Sequence, residues 1–265
     1  MFLHSTLRFF PVVTRQTVWR WLALAVSYGA IAKLGTMFPY IPPSIALIWL
    51  PAGLATAALI RWGAMMCPAI FVSALLLNLT NNIPLTPAVI MALGSMLGPL
   101  IVHWDLRRAD FDGGFVHRGD VVKFVIAALV GMTVPATVGS ICLWQLNKLP
   151  DLRFAWISWW AADLVGVFLA TPILLAIDLR ARKLQEHNKE ILLFLLIFLI
   201  THWLIFCSEN SLLHLTFFAM AIMIWAAIRL GGLVTSITVF GSSAFDAIAT
   251  AYGMGPFQSL ERSES

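Results

Sequence analysis

Charge is what this sequence has least of. Only 11% of its 265 residues are Asp, Glu, Lys or Arg, while 60% are apolar. A soluble domain averages about 25% charged and about 45–50% apolar. Too few charges are present to cover a water-facing surface, so much of the surface must face lipid. Cysteine is also scarce. Cys67, Cys142 and Cys207 lie in or beside apolar runs, odd in number and without metal-type spacing. They read as small buried hydrophobes, and neither a disulfide framework nor a metal site is expected. The six histidines show no His-x-x-x-His spacing, and no Cys/His motif or Gly-rich phosphate loop is present. No catalytic site and no cofactor is therefore expected. There is no internal repeat and no low-complexity tract. The longest polar stretches, 105–120 and 178–190, leave no room for a second domain, so 1–265 reads as one domain.

What is present is a succession of runs rich in Leu, Ala, Ile and Phe. A span needs about 20 mostly apolar residues to cross ~30 Å of hydrocarbon. Backbone groups in lipid must bond within their own segment, and the alternation of a barrel strand is missing, so these runs predict helices. The fold class is all-α: a polytopic transmembrane bundle of about nine spans, at 18–38, 44–61, 64–80, 85–104, 121–144, 154–177, 190–207, 212–228 and 232–252. The first run, Trp19–Phe38, is long for a signal peptide and is followed at once by more apolar sequence, so it reads as an uncleaved span.

The basic residues sit in the short loops. With the loops numbered alternately from a cytoplasmic N-terminus, Arg8, Arg15, Arg20, Arg61, Arg107, Arg108, Arg118, Lys123, Arg180, Arg182, Lys183, Lys189 and Arg229 fall inside. Lys148, Arg153 and Arg262 fall outside, and Lys33 lies within a span. That asymmetry predicts a cytoplasmic N-terminus. It also accounts for the net charge of +4 and the pI near 9.2 without a nucleic-acid partner. Nine spans place the C-terminus outside.

Ionisable residues inside spans are costly and are functional candidates by default. Asp163, Lys33 and Asp246 are the main ones, with His202 and Asn78 beside them. At 1.5 Å per residue, Lys33 lies ~10 Å, Asp163 ~14 Å, Asp246 ~9 Å and His202 ~8 Å from their outer helix ends, with Asn78 near the outer mouth. The expectation is a cavity in the outer half of the bundle. The alternative is a structural Lys33–Asp163 or Lys33–Asp246 pair, with Asn78 and His202 making ordinary interhelical hydrogen bonds. Trp160 and Asp163 are three residues apart and share a helix face, where the indole can orient the carboxylate; interface anchoring of Trp156, Trp159 and Trp160 is the equal alternative. Trp19, Trp21, Trp62, Trp104 and Trp144 read as interface anchors. Pro51, Pro135 and Pro172 lie inside predicted spans and are expected to kink them.

Several of these residues fall in one pattern. Trp49-Leu50-Pro51-Ala52-Gly53 is followed by Arg61-Trp62-Gly63 through Pro68, with Asn78 closing the third span. Trp159-Trp160-Ala161-Ala162-Asp163-Leu164-Val165-Gly166 then precedes Thr171-Pro172. Ile224-Trp225-Ala226-Ala227-Ile228-Arg229-Leu230-Gly231 and Gly253-Met254-Gly255-Pro256-Phe257 come last. In order and spacing the sequence resembles the bacterial membrane-associated sensor domain, MASE type one. That domain is the polytopic input module of many diguanylate cyclases, phosphodiesterases and histidine kinases. The resemblance implies a sensory domain of the bacterial inner membrane. Its partners would be the lipid bilayer and a cytoplasmic signalling protein or fused output domain, and dimeric outputs imply a homodimer. Asp163, Trp159, Trp160, Lys33, Asp246, Asn78, His202 and Trp49 are the sensing candidates. Pro51, Gly53, Gly166, Pro172, Trp225, Arg229, Gly253 and Pro256 are the motif's structural positions. Two departures stand out. Gly98 replaces an acid usual in the fourth span, and the chain ends at Ser265, where the family continues into a last helix and an output domain. A transporter or channel using Asp163, Asp246 and Lys33 is the competing reading.

Overall fold

The computed structural model describes residues 13–37, 39–41, 45–46, 48–113, 115, 118–149, 151–176, 188–207, 216–230 and 232–251. They form an all-α membrane bundle. The helices are α1 (Arg15–Met37), α2 (Leu50–Trp62), α3 (Cys67–Thr80), α4 (Leu85–Arg108), α5 (Arg118–Gly131), α6 (Thr133–Gln145), α7 (Leu152–Ala176), α8 (Asn188–Cys207), α9 (Thr216–Arg229) and α10 (Gly232–Ala251). Among the described residues, three helical stretches have the length and apolarity to cross a membrane: Leu85–Arg108, Gly119–Gln145 and Leu152–Ala176, of 24, 27 and 25 residues. The chain divides into two compact units, residues 1–171 and 172–265, and each is described by itself.

Three of the predicted spans form differently from the reading above, and proline explains most of it. The run 44–61 does not become helical until Leu50. Before it, Pro39–Ile41 and Ile45–Ala46 form a short antiparallel pair. Pro39, Pro42 and Pro43 supply no amide hydrogen and disfavour a helix in the residue before them. Pro51 falls in the first turn of α2, where the missing hydrogen is not needed, so it starts this helix rather than kinking it. Pro135 likewise lies in the first turn of α6, and the single apolar run 121–144 is two helices parted at Met132. Among the described residues, Pro172, in α7, and Pro99, in α4, lie in helix interiors. The third span opens with a 3-10 turn at Ala64–Met66, reached through Gly63, whose φ of 79° suits a residue without Cβ.

In the first unit α4 packs against α2, α3, α5 and α6, and α1 packs against α2 and α3. Lipid is as apolar as leucine, so burial gives helices no preference for one another, and close packing at small residues decides which faces meet. Two crossings show this. At Gly53 a Cβ would collide with the Gly166 carbonyl, and at Gly166 it would collide with the Trp49 carbonyl, so α2 and α7 touch backbone to backbone. At Gly98 a Cβ would come within 2.7 Å of Pro135 Cδ and 3.0 Å of the Gly131 carbonyl. The place of the family's acid is thus filled by the α5–α6 junction, and no side chain fits there. Outward, Leu34, Leu76, Ile90, Ile126 and Ile157 are exposed, as lipid-facing residues must be.

The second unit is smaller. Phe194, Ile222, Ala226 and Val234 form its core, with Trp225 packed edge-on to Phe194 at 5.6 Å. α9 packs against α8 and α10.

Replacing Gly166 with Val drives a branched side chain into the Trp49 main chain. It is expected to cost at least the ~1–3 kcal/mol typical of an overpacked core. Gly29→Ala, where a Cβ meets nothing within 4 Å, is expected to leave stability within about 1 kcal/mol of the parent, on the stabilising side. Unfolding in mixed micelles, followed by tryptophan fluorescence, checks both.

Candidate functional site

Asp163 sits in the middle of α7 with 1% of its surface exposed, and its Oδ2 has no hydrogen-bond partner among the described residues. A buried carboxyl oxygen without a donor is costly, and natural structures keep few of them. Three other elements bring polar groups to it. Tyr28 of α1 is 2% exposed and lies within electrostatic reach of Asp163, while Ser95 of α4 and the Trp49 indole reach the Tyr28 hydroxyl. Tyr28 is the fourteenth of 23 residues in α1, Ser95 the eleventh of 24 in α4 and Asp163 the twelfth of 25 in α7. The cluster therefore lies at mid-helix depth, deeper than the outer-half cavity expected from the sequence.

Local geometry explains why these groups converge. The Trp49 amide donates to the Ala162 carbonyl at 3.0 Å, and Thr171 Oγ1 donates to the Gly53 carbonyl at 3.0 Å. These two bonds bracket the Gly53–Gly166 contact. The start of α2 is therefore pinned along α7 beside Asp163, and the Trp49 side chain is directed toward α1, over Gly35.

The two tryptophans nearest in sequence serve other neighbours. Trp160 donates to the Leu129 carbonyl of α5 at 3.1 Å and stacks on Trp156, whose indole donates to Thr137 at 2.9 Å. Trp159 lies against Gly139 of α6. The Trp160–Asp163 contact that the spacing allows is thus replaced by bonds to α5, because shared face on a helix does not fix which neighbour a side chain meets. Lys33 is exposed on α1, whereas Asp163 is buried. The Asn78 amide donates to the Ala88 carbonyl at 3.2 Å, and its own carbonyl accepts from Ile83 at 3.1 Å, closing the α3–α4 turn. Tyr28 and Ser95 were missed in the sequence. A lone tyrosine and a serine within apolar runs carry no signal of their own.

The second unit brings His202 and Asp246 together. Each is the fifteenth of 20 residues in its helix, α8 and α10. His202 Nδ1 lies 3.0 Å from the Phe198 carbonyl, which only accepts, so Nδ1 carries the hydrogen. In the neutral ring Nε2 is then the acceptor for the Ser242 hydroxyl, at 2.7 Å, with an Asp246 oxygen 3.9 Å away. Backbone geometry alone is described for Arg229, which ends α9, and Gly253 and Pro256 lie outside the described residues. Among the described residues no group of acids, histidines and cysteines has metal-binding geometry.

A family model for MASE1 matches residues 20–265, nearly the whole chain. The chain belongs to the MASE1 family. Its role is accordingly that of a membrane-embedded sensory input domain, as the resemblance implied. Comparison with curated proteins and with solved structures gave no match. Within this MASE1 domain, the Trp-Pro-Gly element before and in α2 and the Asp-Leu-Val-Gly element of α7 are in contact through Gly53 and Gly166.

Ser242→Ala removes the bond that ties α10 to His202. Interhelical hydrogen bonds in membranes are worth about 0.6 kcal/mol on average and up to ~1.7. A loss in that range, with the first unit's stability unchanged, is the expected result of a stepwise micelle unfolding experiment.

Proposed function

We propose that the Tyr28–Trp49–Ser95–Asp163 cluster is the input site of this sensory domain. The observation that carries the reading is the buried Asp163 carboxyl with an open acceptor position at Oδ2. A stimulus that supplies a donor there, whether a ligand or a change in the membrane, gains a hydrogen bond in a dry environment. Trp49 links this chemistry to the helix packing, since its side chain belongs to the cluster and its carbonyl lies against Gly166. Gly166 is one turn from Asp163, so a changed contact at Asp163 bears on the α2–α7 crossing. Packed crossings shift between discrete arrangements rather than deform smoothly.

The shift passes to a cytoplasmic output domain or partner protein, in a chain held in the bacterial inner membrane with its N-terminus in the cytoplasm, and a homodimer suits dimeric outputs. A ligand acts only through unequal affinity for the two states, and a tenfold preference supplies about 1.4 kcal/mol. Trp159, Trp160 and Asn78 support the scaffold in this reading, and Gly253 and Pro256 keep their place as motif positions near the C-terminal end.

Asp163→Asn keeps the shape and changes the donor and acceptor pattern. In a chain fused to a signalling reporter, it is expected to abolish the condition-dependent change in output while membrane level and micelle stability stay at parental values. Tyr28→Phe is expected to reduce that change. A parental response from Asp163→Asn overturns the assignment.

A further inference from the structure

Away from the Asp163 cluster, α4 ends in a cavity of about 340 Å³ lined by Trp104, Arg107 and Arg108. Trp104 is 48% exposed and the Arg108 side chain 82%. The cavity is the terminus of a longer feature. Ile90, Leu93, Leu97, Ile101, Trp104 and Arg108 follow one another at steps of three or four residues and so form one stripe along α4. Ile90, Leu93 and Leu97 are 44%, 40% and 38% exposed. The stripe is aliphatic for its first part, aromatic near its end and cationic at the end.

The part of the stripe from Leu97 onward fits one leaflet. Leu97 to Arg107 is a rise of about 15 Å, half of a ~30 Å hydrocarbon core. The Asp163 cluster supplies an internal depth marker. Ser95 lies near the middle of α4, about 18 Å before Arg107, so the guanidinium groups stand just beyond the hydrocarbon edge. Trp104 occupies the boundary, where its amphipathic ring is favoured. α5, which packs against α4, exposes Val122 and Ile126.

We propose that the Trp104–Arg107–Arg108 cavity binds the phosphate head group of an anionic glycerophospholipid, with an acyl chain laid along Ile101 and Leu97. Two adjacent guanidiniums present forked donors that match phosphate oxygens, which suits a held lipid better than diffuse attraction to the surface. Asp105 is close by, its Oδ1 4.0 Å from Arg108 Nη1. Arg108 has five donors and keeps this partner while sharing the phosphate with Arg107. Two cations against one carboxylate leave the cavity net positive. The site is independent of Asp163 and gives the sensory domain a contact that reads lipid charge.

Native mass spectrometry of the full chain, released from micelles holding equal phosphatidylglycerol and phosphatidylcholine, tests this. The parent is expected to retain phosphatidylglycerol preferentially. Basic residues near an anionic surface contribute about 1 kcal/mol each, so R107Q is expected to weaken retention about fivefold and the R107Q/R108Q pair about thirtyfold. Arg15→Gln, an exposed charge at the start of α1, is the control and is expected to change it little. Equal retention of both lipids by the parent overturns the proposal. So does undiminished phosphatidylglycerol binding in the double variant, or an equal loss in Arg15→Gln, which reports general surface charge instead of a cavity.

Discussion

The contact on which the first unit turns is the crossing of α2 and α7 at Gly53 and Gly166, where main chain meets main chain. In water, burial of apolar surface would hold these helices together with little regard to detail. In lipid that force is absent between helices, and van der Waals fit with a few hydrogen bonds must supply both stability and register. The missing Cβ atoms allow the approach, and the Trp49–Ala162 and Thr171–Gly53 bonds hold it. Asp163 lies between the two bonds in sequence. Its burial follows from this packing.

The second crossing, at Gly98 and Gly131, falls where the resemblance led us to expect an acid. α4 meets the α5–α6 junction so closely there that Pro135 and Gly131 occupy the volume a side chain would need. The cluster at Asp163 is then one carboxyl with neutral hydroxyl and indole groups around it. A site with one ionisable carboxyl and no facing acid has different recognition properties from a site with two.

Helix identity was largely legible from the sequence, because a lipid-spanning run must be both long and apolar, and α1, α4, α7, α8 and α10 follow the predicted runs closely. The α2 and α6 starts were less so. Pro51 and Pro135 are tolerated in a first turn and disruptive elsewhere, and composition alone does not say where the turn lies. Asp163 was legible because a charge in an apolar run is expensive. Tyr28 and Ser95 were not, since their role arises only when α1 and α4 are placed beside α7. Trp160 shows the converse: spacing on its own helix allowed a contact with Asp163, while its indole donates to the Leu129 carbonyl of α5. His202 and Asp246 were each noticed alone, and their equal depth along α8 and α10 is what unites them.

The bond from the Trp49 amide to the Ala162 carbonyl has an evolutionary corollary. It joins main-chain atoms, so no substitution at either position other than proline at 49 deletes it outright. Drift in the surrounding side chains leaves this tie in place, while the glycines that permit it tolerate almost nothing. Selection on the α2–α7 joint should therefore appear as a few nearly immovable small residues set among freely varying neighbours. A recognition surface built on that joint can change its specificity without putting the joint itself at risk.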